Sequence, residues 1–96
     1  MSNDELGRLR AEIDGLDEEI IRLLALRFVA TGKVGVLKAT QSLEAVDPSR
    51  EALQAQRYSV LAERFGVNVE LTQKLFRTVI DEVVANHQAI RESTVK

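Results

Sequence analysis

A few charged residues and one histidine carry most of the chemistry open to this chain, and each breaks a local pattern. Leu6, Leu9, Ile13, Leu16, Ile20, Leu23, Arg27, Ala30, Val34 and Leu37 follow one another alternately three and four residues apart. Such spacing marks one face of a long helix that packs along a partner helix, and Arg27 stands on it where leucine is expected. An unpaired guanidinium buried there would be very costly, so an anion should meet it. Lys38 lies eleven residues beyond Arg27. Eleven residues of helix return to the same face within about 20° and advance about 16 Å, so the two cations share a side. His87 interrupts a second stripe, Phe76, Ile80, Val83, His87, Ile90, in the same manner. Arg50 and Glu51 fall in the first turn of a helix opened by Asp47-Pro48, where a cation opposes the helix dipole, which suggests another role for Arg50.

Each of these residues has an ordinary reading when taken alone. Arg27 could pair with a glutamate of a neighbouring helix, and Lys38 could be a solvated helix-end cation. His87 could be a hydrogen-bonded core residue. Arg50 and Glu51 could be plain surface, and Arg10 a charge flanking the seam. Taken together, several cations gathered inside a helical bundle point to an anionic ligand. The sequence contains no glycine-rich phosphate loop, nucleophile elbow or metal motif. The expected ligand therefore carries carboxylates, which arginine recognises in a bidentate fashion.

Composition narrows the field further. With 96 residues the chain suits one small domain, a size at which stability is a concern and oligomerisation a common answer. It has no cysteine and one histidine, which excludes a disulfide framework, a thiolate metal site and a histidine-rich one. A net charge of -2 lacks the basic footprint of a nucleic-acid binder. No apolar run approaches the roughly 18–20 residues that span a bilayer. Met1-Ser2-Asn3-Asp4-Glu5 is acidic and polar, unlike a secretory leader, so the cytoplasm is the default expectation.

An all-α chain of three helices must position these side chains. The first is expected over about residues 4–39, with Asn3 as N-cap and Asp4 and Glu5 in the first turn. Gly7, Gly15, Gly32 and Gly35 each weaken it by about 1 kcal/mol relative to alanine, so tertiary packing must hold it. At about 1.5 Å per residue it would reach roughly 54 Å, too long to bury its stripe against its own chain. A second copy is the economical partner. A loop over 40–46 leads to the second helix, about 47–65, with Asp47 as N-cap, Pro48 at the first helical position and Gly66 as its stop. Asn68 caps the third, about 69–91, after which the end is expected to fray.

Several motifs in register resemble the all-helical chorismate mutases, in their stand-alone, monofunctional bacterial form. They are Leu9-Arg10-Ala11-Glu12-Ile13-Asp14-Gly15-Leu16-Asp17, Leu24-Ala25-Leu26-Arg27, Val34-Gly35-Val36-Leu37-Lys38, Val46-Asp47-Pro48-Ser49-Arg50-Glu51 and Phe76-Arg77-Thr78-Val79-Ile80-Asp81-Glu82. The resemblance implies an intertwined helical-bundle homodimer that turns chorismate into prephenate, in phenylalanine and tyrosine biosynthesis, with no cofactor and no metal. By position, Arg10 resembles the arginine that reaches into the other protomer's site. Arg27 and Arg50 resemble those that hold the two carboxylates, and Lys38 the lysine on the ether oxygen and a carboxylate. Glu51 resembles the acceptor for the ring hydroxyl, which Asp47 borders through its backbone. Arg10 is 28 residues from Lys38, about 42 Å of straight helix, so a supply of Arg10 in trans from an antiparallel twin fits.

Two positions depart from the family pattern, which offers a serine and then a glutamine on the third helix. Here they are Val83, which can donate nothing, and His87, which could replace the glutamine as donor to the ether oxygen. Gln88 points about 100° away. The implied reaction breaks one C–O bond and forms one C–C bond. It needs no nucleophile or proton transfer, so Lys38, His87 and Arg27 would act by positioning and by stabilising charge on the ether oxygen. Two rivals stand beside this reading. An isochorismate-pyruvate lyase shares the fold but lacks the pattern containing Glu51. A helical dimerisation module without chemistry would explain the seam but not its cations.

Overall fold

The computed structural model describes residues 2–95, and side chains over 4–93. Among them every regular element is a helix: α1 spans Ser2–Thr40, α2 Pro48–Phe65 and α3 Val69–Val95. The chain forms two compact units, residues 1–31 and 32–96. The first is helix throughout its described residues, and the second holds the last turns of α1, the connection 41–47, α2 and α3.

The helix ends follow from local chemistry. Asp47 accepts the Arg50 backbone N–H at 3.1 Å, and Pro48, which has no N–H to satisfy, takes the first helical position. α2 stops at Gly66, which adopts the left-handed φ of 71°. Its N–H donates to the Glu63 carbonyl at 3.3 Å while Val67 N–H reaches Ala62 O at 2.8 Å, which satisfies two otherwise orphaned carbonyls. Asn68 then caps α3, its side-chain oxygen accepting Leu71 N–H at 2.8 Å.

α1 closes with the same pair of bonds but without glycine. Leu43 N–H donates to Lys38 O at 2.7 Å and Ser42 N–H to Ala39 O at 3.2 Å. Ser42 occupies the left-handed position with φ 57°, one that glycine adopts without steric cost.

Three boundaries differ from the sequence reading. α1 begins at Ser2, so Asn3 lies inside the helix and does not precede it as a cap; its side chain is outside the described residues. Thr40 is still helical. α3 runs to Val95 and not about 91, because no glycine or proline interrupts residues 91–95.

α2 packs along α3. Tyr58 and Phe76 stack across that contact with ring centroids 4.0 Å apart and planes at 16°. Tyr58, Ala62, Val79 and Ile80 are buried, and Gln73 Nε2 staples the pair by donating to Ala55 O at 2.7 Å and Ser59 Oγ at 2.8 Å. In the first unit the seam residues Leu6, Leu9, Ile13, Leu16, Ile20 and Leu23 are exposed, between 45 and 57%.

The strain at Ser42 gives a direct test. Ser42→Gly should raise stability by about 0.5–1 kcal/mol, as relief of the left-handed conformation outweighs glycine's entropy in the unfolded chain. Urea melts of the two proteins measure it; an unchanged or lower midpoint would mean that Ser42 holds its conformation without strain.

Candidate active site

Of the expected site residues of the second unit, Lys38, Asp47 and Arg50 come together where α1, the 41–47 connection and α2 join. Lys38 sits in the last turn of α1, where a cation complements the helix dipole. Its Nζ donates to Ala45 O at 3.4 Å, a long bond by ordinary standards. Asp47 is held below the usual carboxylate range chiefly by the Arg50 N–H, next by the Ser49 hydroxyl, which donates to it at 2.9 Å. The charges of Lys38 and Arg50 push in the same direction. Lys38, Asp47 and Arg50 are thus electrostatic neighbours, and the Arg50 side chain is exposed.

Glu51 follows in the first turn of α2, half-buried, and accepts from Arg77 Nη1 at 3.0 Å. Arg77 is turned toward it by Asp81, one helical turn on, which accepts from Nε at 3.0 Å and pairs with Nη2 at 2.8 Å. Both carboxylates raise the guanidinium pKa, Glu51 more than Asp81.

His87 is 5% exposed and lies against Gly35. A Cβ added to Gly35 would stand 2.6 Å from His87 Cδ2, 3.1 Å from Nε2 and 3.0 Å from Ile90 Cδ1. Only a glycine lets the imidazole come this close to α1, one turn before Lys38. Val83 is half-buried one turn before His87, and Gln88 is exposed. Arg91 fixes the connection by donating to Leu43 O and facing Glu44 at 3.9 Å.

In the first unit Arg10 is exposed and Arg27 half-buried, its Nη1 shielded from solvent. A cavity of about 580 Å³ between α2 and α3 is lined by Glu51, Tyr58, Gln73, Lys74 and Arg77 among others; of the expected site residues it includes Glu51. Among the described residues no group of three or more acidic, histidine or cysteine side chains could hold a metal ion, and no helix is long and apolar enough to cross a membrane.

Sequence reasoning missed three contributors. Gly35 read as a weak point of a helix, and only the contact with His87 reveals its use. Arg77 was signalled by its i,i+4 spacing to Asp81, but nothing local foretells its bond to Glu51, 26 residues away. Arg91 meets Leu43 across 48 residues and left no local signal.

The described residues form three helices, with a cationic corner built around Lys38 and Arg50 and a buried imidazole against Gly35, one turn before Lys38. The chain belongs to the chorismate mutase type II family, whose sequence model matches residues 9–88. It is 33% identical over 92 residues to the T-protein of Haemophilus influenzae, covering 96% of this chain and 24% of that protein. The T-protein of Enterobacter agglomerans is 35% identical over 78 residues, covering 81% and 21%. The bifunctional chorismate mutase/prephenate dehydratase of Buchnera aphidicola is 28% identical over 89 residues, covering 93% and 23%. The chain thus spans a quarter or less of the length of these relatives.

Asp47 sets an expectation for acid stability. Its folded pKa lies below the ordinary 3.8, so near that value the unfolded chain takes up the proton more readily than the folded one. The stability Asp47 contributes is present above pH 3.8 and is lost as pH falls through the lowered folded value. Asp47→Asn keeps a capping oxygen but cannot titrate, so its stability should fall less steeply with acid below about pH 4. Chemical melts at a series of pH values measure the slopes; equal slopes would remove Asp47 from the account.

Proposed function

We propose that this chain catalyses the cofactor-free rearrangement of chorismate to prephenate, in phenylalanine and tyrosine biosynthesis, as a cytoplasmic homodimer. The observation that carries this reading is the family match across residues 9–88, joined to the cluster of Lys38, Asp47 and Arg50 within that span. The Buchnera relative, a bifunctional chorismate mutase/prephenate dehydratase, points the same way.

In this reading Arg27 and Arg50 grip the two carboxylates of the substrate, and Arg10 adds a third guanidinium from a second copy. Lys38 and His87 donate to the ether oxygen, on which negative charge grows as the C–O bond breaks. Glu51 accepts the ring hydroxyl, with the backbone of Asp47 beside it. Val83 offers no hydrogen bond, so the carboxylate contact on that side is lost or supplied by water. Holding a flexible dianion in its compact reactive chair converts lost freedom into rate. Donors on the ether oxygen help only in so far as they bind the transition state more strongly than the substrate. Lys38 is well suited to such a role, because its resting bond to Ala45 O is long and is readily exchanged for a substrate oxygen. The presence of Glu51 favours the mutase over an isochorismate-pyruvate lyase of the same fold, which lacks the pattern containing it.

The second copy is supported by the first unit of the chain. Six large apolar side chains at seam spacing lie about half exposed there, and an identical seam run antiparallel is the surface that matches them in size and period. A bicyclic dicarboxylate analogue of the transition state should bind the protein; a dimerisation module without chemistry would ignore it.

Two kinetic outcomes test the site. Lys38→Ala should lose at least 10²–10³ in turnover, the usual loss of about 3–4 kcal/mol for one preorganised donor, while His87→Gln keeps substantial activity and His87→Leu does not. The loss of chorismate absorbance with purified protein, with the product identified, is the assay, and near-normal turnover by Lys38→Ala would refute the assignment. Arg10→Ala and Arg27→Ala, each nearly inactive alone, should recover part of the activity when mixed, since the heterodimer contains one intact shared site. No recovery in a preparation shown to exchange subunits would rule out the trans role of Arg10.

A further inference from the structure

The Glu51 carboxylate is held by a group that the proposed chemistry does not employ. Arg77 Nη1 donates to Glu51 Oε1 at 3.0 Å, and Nε and Nη2 of the same guanidinium are occupied by Asp81 at 3.0 and 2.8 Å. A guanidinium is planar with its donors in a fixed fork, so Asp81 on one edge sets the direction in which Nη1 points. Asp81 and Arg77 lie one turn apart on α3, and Glu51 comes from α2, so the arrangement ties the start of α2 to the middle of α3.

Two consequences follow for a site that accepts a dianion. A glutamate side chain has considerable rotamer freedom, and a bond to one carboxylate oxygen fixes it while leaving the other oxygen open to accept. A bare carboxylate beside a dianionic ligand would also repel it, and the guanidinium, shared with Asp81, offsets part of that charge. An ion pair whose arginine side chain is 52% exposed contributes little to folding stability, which leaves orientation as its main effect.

We propose that Arg77, aimed by Asp81, is a positioning residue that holds Glu51 ready to accept the ring hydroxyl of the substrate; this rests on the chorismate reading given above. The hydroxyl takes no part in the bonds made or broken. Its contact with Glu51 is therefore equal in the ground and transition states, and loosening it acts on KM and not on kcat.

The test is steady-state kinetics on the full chain with chorismate. Arg77→Ala should raise KM about 10-fold, the loss expected when a hydrogen bond to a charged group is weakened, with kcat within about twofold and the melting temperature little changed. Arg77→Lys, which keeps the charge but not the fork, should recover part of the lost affinity. In a Glu51→Gln background Arg77→Ala should raise KM no further, because the two residues act through one contact. An unchanged KM in Arg77→Ala, or an equal further rise in the Glu51→Gln background, would overturn the proposal while leaving the parent reading in place. An inactive unmodified protein would instead overturn the parent reading, and this proposal with it.

Discussion

The close approach of His87 to the backbone at Gly35 is the constraint around which the second unit is arranged. Helices with ordinary side chains at a contact keep their axes about 8–10 Å apart, and a missing Cβ lets an imidazole fill the space. The glycine weakens its helix by about 1 kcal/mol, so packing must offset the loss, and the buried ring with Ile90 supplies that packing. The ring in turn is fixed by backbone on one side, not by a mobile side chain. In the proposed enzyme, where His87 donates to the ether oxygen, such rigidity leaves no reorganisation for the moment of reaction. Lys38 lies one turn further along the same helix, so one stretch of backbone sets both groups.

Charge at the corner of α1 and α2 obeys a second balance. Lys38 and Arg50 would repel each other if nothing lay between their fields. Asp47 answers both while its carboxylate also caps α2 through the Arg50 N–H. One side chain thus starts a helix and sets the electrostatics of its neighbours. Two cations against one carboxylate leave the corner positive. Glu51, the next acid along, turns instead to Arg77, which it shares with Asp81. A corner in which Lys38 and Arg50 outnumber Asp47 suits an anionic ligand.

Much of this was legible in the sequence because it is local. Asp47-Pro48, Gly66 and Asn68 fix three helix ends through bonds that span three to five residues, and such bonds can be read from residue type and spacing. The apolar stripe of α3 and its interruption at His87 were also visible, since period alone marks a face. What could not be read depends on distance along the chain. The bonds of Arg77 to Glu51 and Arg91 to Leu43 join residues far apart in sequence, and no propensity encodes them. The role of Gly35 is hidden for the same reason: a glycine in a helix looks like a defect until the residue that fills its space is known. Ser42 is the opposite case, a turn whose bonds match those at Gly66 but whose residue type gives no hint of a left-handed backbone.

The seam of the first unit, about half exposed, poses a problem of its own. Isolated helices owe little of their stability to propensity, and Gly7 and Gly15 subtract from that little, so Leu6 to Leu23 require a partner surface of the same period. A twin copy meets the requirement only if Arg10 and Arg27 are accommodated, since a guanidinium taken into an apolar interface raises the cost of forming it unless an anion answers the charge. In the proposed enzyme the dianionic substrate is that anion. Pairing of subunits and binding of ligand then draw on a common set of interactions, and each favours the other through linkage. The arginines that weaken the bare seam are therefore the groups that make a joined and liganded one specific. In the proposed dimer they tie assembly to the binding of its ligand.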